Sequence, residues 1–292
     1  MRIAIMMLVH KNEQQVQRLI NHLSKDFDVY VHIDKRCYLK INEINNAFVY
    51  KKYKTYWGSF NIVLAMLYLL NNAFEKRYDR YIFISGQDLP LKSNAEINDF
   101  FRNNNFEYIE LEKLPTKFWG ENGGLDRLTN YYMITGGIKR HHLLSRLFNK
   151  IFHKNIFIEN YIYKVVTGKT KPRKIDYLFY GGSQWTNYTN MCVSKIFEYL
   201  EFDKKYFRRY KWTNCSDEIF FQTIIAKFDD LSIENYNLRY IDWENGPEYP
   251  KILREEDYEK IIASKALFAR KFDENVDNNI IEKIYKKIGE KK

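Results

Sequence analysis

The sequence Ile3-Ala-Ile-Met-Met-Leu-Val9 is an unbroken run of apolar residues. Such a run is typical of a strand that is buried on both faces, as in a parallel sheet. Three later segments, 27–33, 80–85 and 107–111, also have the pattern of strands. Helical patterns separate these segments, so the sequence predicts an α/β fold with a mostly parallel, doubly wound central sheet.

Three helices are expected between these strands. Asn12 is a candidate N-cap for the first, whose apolar residues recur at helical spacing up to Leu23. Ser59 is a candidate cap for the second, which we expect to reach Leu70. Residues 94–102 predict the third helix. These helices supply the crossovers that a parallel sheet requires.

Polar residues follow three of the predicted strands. His10 and Asp34 come directly after the first two, and Asp88 lies in an expected loop, 86–92, after the third. Ligands of open α/β sheets bind beyond the carboxyl ends of the strands. We therefore expect these three side chains to converge on one crevice.

Composition and motifs exclude several classes of protein. The 292 residues are 45% hydrophobic and 29% charged, which are ordinary globular values. The three cysteines, Cys37, Cys192 and Cys215, are too widely spaced for a disulfide framework or a zinc site, and they favour a reducing compartment. Neither a dinucleotide fingerprint nor a P-loop is present. The sequence contains no apolar run of about 18 residues, the length that predicts a transmembrane helix, so we expect a cytoplasmic protein.

Positive charge is concentrated in one segment. The net charge is +10, and residues 139–174 contain ten Lys or Arg and a single acid, Glu159. Within it, residues 143–152 have apolar side chains on one helical face, with Arg146 and Lys150 beside that face. Such a segment can lie at an anionic membrane surface, here the inner face of the membrane, or it can pack on the core with its charges solvated.

Two short segments have ordinary structural interpretations when each is taken alone. Ser216 is a candidate N-cap that would place Asp217 and Glu218 in a first helical turn, where acids are common. Residues 267–273, Leu-Phe-Ala-Arg-Lys-Phe-Asp, suit an amphipathic segment with a basic face. Asp26-Phe-Asp28 begins a strand instead of ending one, so it does not predict a metal–diphosphate site.

The order of the motifs along the chain is more informative than any one of them. This order resembles the core-2/I-branching β-1,6-N-acetylglucosaminyltransferase family, which includes peptide O-xylosyltransferases, over about residues 3–275. The motifs are Val31-His-Ile-Asp34, Tyr56-Trp-Gly-Ser59, Ser85-Gly-Gln-Asp-Leu-Pro-Leu-Lys92, Tyr108-Ile-Glu-Leu-Glu-Lys-Leu-Pro115, Gly181-Gly-Ser-Gln-Trp185, Ser216-Asp-Glu218 and the segment 267–273. Without the disulfides and membrane anchor of secreted animal members, the chain resembles a bacterial relative.

The resemblance implies a GT-A-type nucleotide-sugar-binding fold that lacks the metal-binding DxD. We expect one such domain over residues 1–292, with a basic insertion at about 136–176 and a basic C-terminal helix from about residue 278. The implied reaction is an inverting transfer from a UDP-sugar to a glycan hydroxyl, with no metal and no other cofactor. UDP-N-acetylglucosamine is the first choice of donor and a xylosyltransferase-like activity is the alternative. The resemblance leaves open whether the glycan acceptor is lipid-linked.

The resemblance also implies roles for individual residues. Glu218 matches the catalytic base, Asp34 an acid at the uridine site, and Lys271 a lysine that binds the diphosphate. A second diphosphate cation is expected at Lys251 or Arg254. The expected donor-binding set is Val9, His10, Asp34, Asp88, Lys251, Arg254, Arg270 and Lys271. The expected acceptor-binding set is Glu110, Arg127, Trp185 and Trp243.

The chemistry of the implied reaction is consistent with these residue types. One carboxylate within hydrogen-bond reach can take the proton of an attacking hydroxyl. Fixed Lys and Arg side chains can neutralise a leaving diphosphate where no metal does so. A nucleic-acid-binding protein is a less favoured alternative, because the charge of +10 is not accompanied by a nucleic-acid motif. A catalytically inactive carbohydrate-binding module is disfavoured because Glu218, Asp34 and Lys271 are all present.

Overall fold

A computed structural model describes residues 1–120, 122–134, 155–159, 162–166, 173–244 and 249–289. Most of the expected basic insertion at 136–176 lies outside the described residues. The amphipathic segment 143–152 and the basic residues Lys139, Arg140, Arg146 and Lys150 also lie outside them.

The described residues form alternating strands and helices through the first third of the chain. The strands are β1 (Ile3–Val9), β2 (Asp28–Ile33), β3 (Ala47–Tyr50), β4 (Arg80–Ser85), β5 (Asp88–Pro90), β6 (Glu107–Tyr108), β7 (Glu112–Lys113), β8 (Tyr131–Ile134), β9 (Asn155–Glu159), β10 (Ile162–Val166), β11 (Tyr180–Gly181), β12 (Asn187–Thr189), β13 (Ile233–Glu234), β14 (Arg239–Ile241) and β15 (Phe268–Arg270).

Helices cover both faces of the sheet formed by the longer strands. They are α1 (Glu13–Leu23), α2 (Phe60–Phe74), α3 (Asn94–Arg102), α4 (Leu125–Thr129), α5 (Asn190–Phe202), α6 (Tyr206–Tyr210), α7 (Phe220–Ile225), α8 (Tyr258–Ala263) and α9 (Asn278–Lys287), with 3-10 turns at Ser216–Glu218 and Glu255–Asp257.

The central sheet has the strand order β13-β6-β12-β4-β1-β2-β3. β1 pairs in parallel with β2 and β4, β2 with β3, and β6 with β13, whereas β12 is antiparallel to both of its neighbours. The predicted α/β class with a mostly parallel central sheet is therefore confirmed. β1 lies at the centre of its parallel part, as its apolar sequence predicts.

Alternate residues of β1 enter two separate apolar clusters. Ile5 and Met7 pack in a cluster with residues of α1, α3 and α9, and Ala4 and Met6 pack in a second cluster with residues of α2, α5 and α7. Successive side chains of a strand point to opposite faces of its sheet, so each cluster occupies one face. Burial on both faces leaves the strand ends as the places where polar groups collect.

The expected side-chain caps of the first two helices do not form. Asn12 precedes α1, but it has a left-handed conformation with φ 60° and makes no side-chain cap bond. Its amide donates instead to Asp273 Oδ1 at 2.9 Å, a contact that no local pattern indicates. Ser59 precedes α2 without a side-chain cap bond, and this helix continues beyond Leu70 to Phe74.

Two segments differ from the expected secondary structure. Segment 86–92, expected to be a loop, contains β5, which pairs antiparallel with β15 far along the chain. The strand expected over 107–111 is confined to Glu107–Tyr108. Short strands such as these form because distant chain segments meet them, so local sequence does not determine their presence or length.

Candidate active site

Asp34 is fully buried just after β2, and its backbone N–H donates to the carbonyl of Val9 at 2.9 Å. The Arg36 guanidinium donates to both carboxylate oxygens, with Nε 3.0 Å from Oδ2. Burial opposes ionisation, but the hydrogen bonds from Arg36 outweigh it and lower the pKa of Asp34. Arg36 also lies over the ring of Tyr56 at 4.0 Å. The expected uridine-site acid is therefore held as a carboxylate by a neighbouring arginine.

His10 is close enough to Lys271 and Asp34 for both charges to act on it. Burial, followed by the charges of Lys11 and Lys271, lowers the pKa of His10, although part of the side chain reaches the surface. The negative charge of Asp34 raises the pKa of His10 and so partly offsets these effects. The fold thus brings His10, Asp34 and Lys271 within electrostatic reach of one another. Their roles in donor binding stay predictions.

Asp88 and Arg270 form a second charged pair next to this group. Asp88 is buried at the start of β5, and Arg270 Nε lies 3.6 Å from its Oδ1. The Arg270 guanidinium also packs on the indole of Trp185, 4.0 Å from the ring centre. Burial lowers the pKa of Arg270, and Asp88 partly offsets this effect. Arg270 is thus occupied by Asp88 and Trp185, while the adjacent Lys271 is half-buried without a described ion pair.

Glu218 ends the 3-10 turn Ser216–Glu218. Arg127 Nη1 donates to its Oε2 at 2.6 Å, and the same guanidinium lies over the Trp119 ring at 4.1 Å. Burial works against the charge of Arg127, but the groups around it, with Glu218 foremost and Cys215 and Asp126 besides, together outweigh burial and raise the pKa of this arginine. Two of the expected site residues, 91 positions apart, are therefore in direct contact.

The backbone around Gly182 connects Glu218 with Glu110. Gly182 N–H donates to the Glu218 carbonyl at 2.9 Å, and Ser183 N–H donates to Glu110 Oε2 at 3.0 Å. Asn237 Nδ2 donates to the other Glu110 oxygen at 2.8 Å. A Cβ on Gly182 would lie 2.6 Å from the Glu110 carbonyl carbon and closer still to its oxygen. The close approach of these backbones requires glycine here.

The turn that carries Glu218 differs from the expected helix start. Cys215, with φ 47°, occupies the position before the 3-10 turn, and α7 begins only at Phe220. Ser216 is therefore inside the turn and is not an N-cap. Its neighbour Asp217 is buried, and burial followed by the negative charge of Glu218 raises the pKa of Asp217 to about 7. Of these two adjacent acids, Glu218 is the more exposed and Asp217 faces the protein interior.

Four expected residues are not part of the group around Asp34 and Lys271 or of the group around Glu218 and Glu110, or they make a different contact from the expected one. Lys251 Nζ bonds Asp257 Oδ1 at 2.7 Å, and the Arg254 side chain is exposed. Trp243 is exposed just beyond β14. Trp185 is buried beneath Arg270. The structure brings neither Lys251 nor Arg254 into a described contact with Lys271, and the roles of all four residues stay predictions.

An open groove of about 630 Å³ lies along one side of α4. Its walls include Pro115, Gly123, Leu125 and Asp126. Arg127 follows Asp126 in the chain, so the groove adjoins the helix that carries the Glu218 partner. No residue of the expected donor-binding set lines this groove.

Sequence reasoning missed several residues that hold the site together. Arg36 had a local signal, because an arginine two residues after a strand-end aspartate can fold back onto it. Trp119 and Asn237 had no such signal, since Trp119 meets Arg127, and Asn237 meets Glu110, only through the tertiary fold. Lys11 also had none, because its partner Asp273 is 262 positions away.

The sequence matches the model of the Core-2/I-Branching enzyme family over residues 3–262. The chain belongs to the Core-2/I-branching enzyme family. This membership makes the protein a glycosyltransferase, and it confirms the resemblance that the order of motifs indicated. A comparison with curated proteins finds no significant match.

Two solved glycosyltransferase structures are similar to this family member at a low level. Apo mouse xyloside xylosyltransferase 1 is 11% identical, with a TM-score of 0.37 over 92% of this chain and 97% of the mouse chain. Apo WbbM, a bifunctional glycosyltransferase, is 12% identical, with a TM-score of 0.37 over 98% of this chain and 50% of its own. The family assignment rests on the family match and not on these two likenesses.

Two features are absent from the described ranges of the chain. None of the helices in those ranges has both the length and the apolar character needed to cross a membrane. The same part of the chain contains no group of three or more His, Cys, Asp or Glu side chains arranged to hold a metal ion.

Proposed function

We propose that this enzyme transfers a sugar from a UDP-sugar to a glycan hydroxyl, with inversion and without a metal ion, and that Glu218 is the base. The observation that carries the proposal is the Arg127–Glu218 pair at 2.6 Å. Arg127 fixes Oε2, whereas Oε1 makes no hydrogen bond within the described part of the chain. One carboxylate oxygen is thus held in place while the other remains free to accept a proton.

The reaction then needs a single displacement. The acceptor hydroxyl gives its proton to Glu218 while its oxygen attacks the anomeric carbon of the donor. The bond from that carbon to the diphosphate oxygen breaks, and UDP leaves with the bonding electrons. Lys271 would stabilise the negative charge on UDP, because a fixed cation can replace a metal at a leaving group. The product keeps the new bond on the face opposite the departing diphosphate.

Glu110 supports the acceptor side of this proposal. Its carboxylate is held by Ser183 and Asn237, so it can present a defined acceptor oxygen to a sugar hydroxyl. Gly182 links this part of the site to the proposed base, because its N–H donates to the Glu218 carbonyl, while Arg127 holds the carboxylate of the same residue. A glycan acceptor is consistent with such polar groups, and N-acetylglucosamine remains our first choice for the transferred sugar, with xylose the alternative.

The test combines binding and donor hydrolysis in the presence of EDTA. We expect UDP to raise the melting temperature, and one UDP-sugar from a panel including UDP-N-acetylglucosamine and UDP-xylose to release UDP in water. A single-stranded oligonucleotide is the comparison ligand, and it should produce no stabilisation. Stabilisation by the oligonucleotide alone, with no response to UDP or to any UDP-sugar, would refute the proposal.

The basic segment 139–174 supports a finer proposal about the acceptor. Each basic residue near an anionic membrane contributes about 1 kcal/mol to the binding free energy. Several such residues would hold the enzyme at the membrane, where a lipid-linked acceptor is within reach. We expect salt-sensitive binding to anionic liposomes, which replacing Lys139, Arg140, Arg146 and Lys150 with Gln weakens. Wild-type protein that ignores such liposomes at low salt would favour an acceptor free in solution.

A further inference from the structure

The proposed reaction needs more than one fixed cation at the diphosphate. Lys271 supplies one charge, and the second was expected at Lys251 or Arg254. Lys251 already bonds Asp257, a buried acid, at 2.7 Å. Asp257 also accepts a hydrogen bond from the backbone N–H of Arg254, the residue that precedes the 3-10 turn Glu255–Asp257. Moving Lys251 to a phosphate would leave a buried carboxylate without its cation, which is unfavourable.

Two nearby arginines are also committed to buried acids. Arg36 donates to both oxygens of Asp34, and that carboxylate is fully buried. Arg270 faces Asp88, which is also fully buried, and packs on Trp185. Neither guanidinium can turn to a diphosphate without uncovering an acid in the interior.

Lys11 follows the end of β1 by two residues, and its ion-pair partner Asp273 lies two residues beyond Lys271 in the chain. Its Nζ is 2.6 Å from Asp273 Oδ2, and its side chain is 37% exposed. After the effect of burial, Lys11 is the strongest cause of the lowered pKa of Lys271, and it is also the charge that most lowers the pKa of His10. Two lysines that repel each other in this way form a natural site for a multiply charged anion.

When Lys11 leaves, Asp273 loses the described partner of its Oδ2 alone, and its side chain is 9% exposed against 3% for Asp257. Asn12 Nδ2 donates to Asp273 Oδ1 at 2.9 Å, and the backbone N–H of Asn275 donates to the same oxygen at 3.1 Å. The ammonium of Lys11 is a flexible point charge, so it can move to a phosphate oxygen while these two donors continue to hold the carboxylate.

We infer that Lys11, from the β1–α1 connection, is the second cation of the diphosphate site and exchanges Asp273 for a phosphate oxygen when UDP binds. This inference rests on the proposed function. It moves the second cation from the segment 251–254 to the opposite end of the chain. It also makes Asp273 a competitor of the diphosphate for the same ammonium group.

The experiment is calorimetric titration of UDP and of uridine in EDTA. Lys11→Ala should weaken UDP binding about 10- to 100-fold, the range for loss of one charged hydrogen bond, and should leave uridine binding unchanged. Lys195→Ala is the matched control, because it removes a lysine of α5 from a 2.8 Å pair with Asp230. This control should change neither affinity.

A second variant changes the affinity in the opposite direction. Asp273→Asn removes the competing charge while keeping a side chain of the same shape, so UDP binding should become several-fold tighter with uridine unaffected. This variant gives an answer even if Lys11→Ala folds poorly. Equal weakening of UDP and uridine by Lys11→Ala would indicate a structural role only.

The outcomes separate this inference from the proposed function. Wild-type protein that does not bind UDP refutes the donor class, and the inference with it. Wild-type protein that binds UDP, together with Lys11→Ala that binds it equally well, overturns the inference alone. Loss of UDP binding in Lys251→Ala but not in Lys11→Ala would return the second cation to the position that the family resemblance implies.

Discussion

Gly182→Ala tests whether the backbone between Glu110 and Glu218 sets the position of the base. An added Cβ would lie 2.6 Å from the Glu110 carbonyl carbon, and carbon atoms in contact are separated by about 3.5 Å or more. One of the two backbones must therefore move by about 1 Å. A shift of that size would stretch the 2.9 Å Gly182–Glu218 hydrogen bond beyond ordinary length.

The expected cost has two parts. Overpacking of this kind destabilises a protein by about 1–3 kcal/mol, which lowers the melting temperature by a few degrees. Misplacement of a reacting group by about 1 Å can cost about 10²-fold in rate. UDP affinity should not change, because the cluster around Asp34 and Lys271 does not include Gly182. The assay is UDP release from the UDP-sugar that the wild type hydrolyses fastest, with UDP affinity measured in parallel.

Gly289→Ala is the matched control. Gly289 has φ +86°, and an added Cβ there would meet no atom within 4 Å. Its substitution costs about 1–2 kcal/mol of backbone strain without displacing the site. If Gly182→Ala loses no more turnover than Gly289→Ala at equal loss of stability, the reasoning about base position is wrong.

Three further variants test the titratable groups of the site. Glu218→Gln should lower UDP release about 10²–10⁴-fold while UDP binding is unchanged. The exposed control Glu234→Gln should change neither UDP release nor UDP binding. Near-normal turnover in Glu218→Gln would exclude Glu218 as the base. Lys271→Ala should weaken UDP far more than uridine, and activity should survive EDTA; a strict Mn²⁺ requirement would contradict this prediction. Because the pKa of Asp217 is raised to about 7, the folded state binds its proton more tightly than the unfolded state, so stability falls as the pH rises from about 4 to 8. Asp217→Asn should remove that fall in denaturant melts, and equal pH slopes for the two proteins would contradict the assignment.

The parallel part of the sheet could be predicted because its signal is local. Residues 3–9 and 81–84 are runs of apolar side chains, the pattern typical of strands that are buried on both faces of a sheet. β12 could not be predicted in its place between β4 and β6, because three residues contain too little pattern to define a strand or its direction. The same limit explains why β5 appeared to be loop in the sequence.

The candidate site shows a similar division. Glu110, Arg127 and Glu218 are expected in the site through the family resemblance, and in the structure Arg127 bonds Glu218 while the backbone at 182–183 joins Glu218 to Glu110. Contacts such as Lys11–Asp273 depend on the complete fold, and neither residue stands in a pattern that points to the other. Residues that can be recognised by their type and by the order of motifs are found from the sequence. Residues whose role depends on contacts with distant parts of the chain are not.

The pairing of Lys11 with Asp273 has a consequence for the newly made chain. The proposed base, Glu218, and the residues that hold it lie between residues 110 and 237, so this part can assemble before synthesis reaches the last strand. The cations proposed for the diphosphate come from residues 11 and 271, which meet only after β15 has left the ribosome and paired with β5. An incomplete chain would then carry Glu218 with its partners, and also His10 and Asp34, but not the pair of lysines proposed to hold the diphosphate.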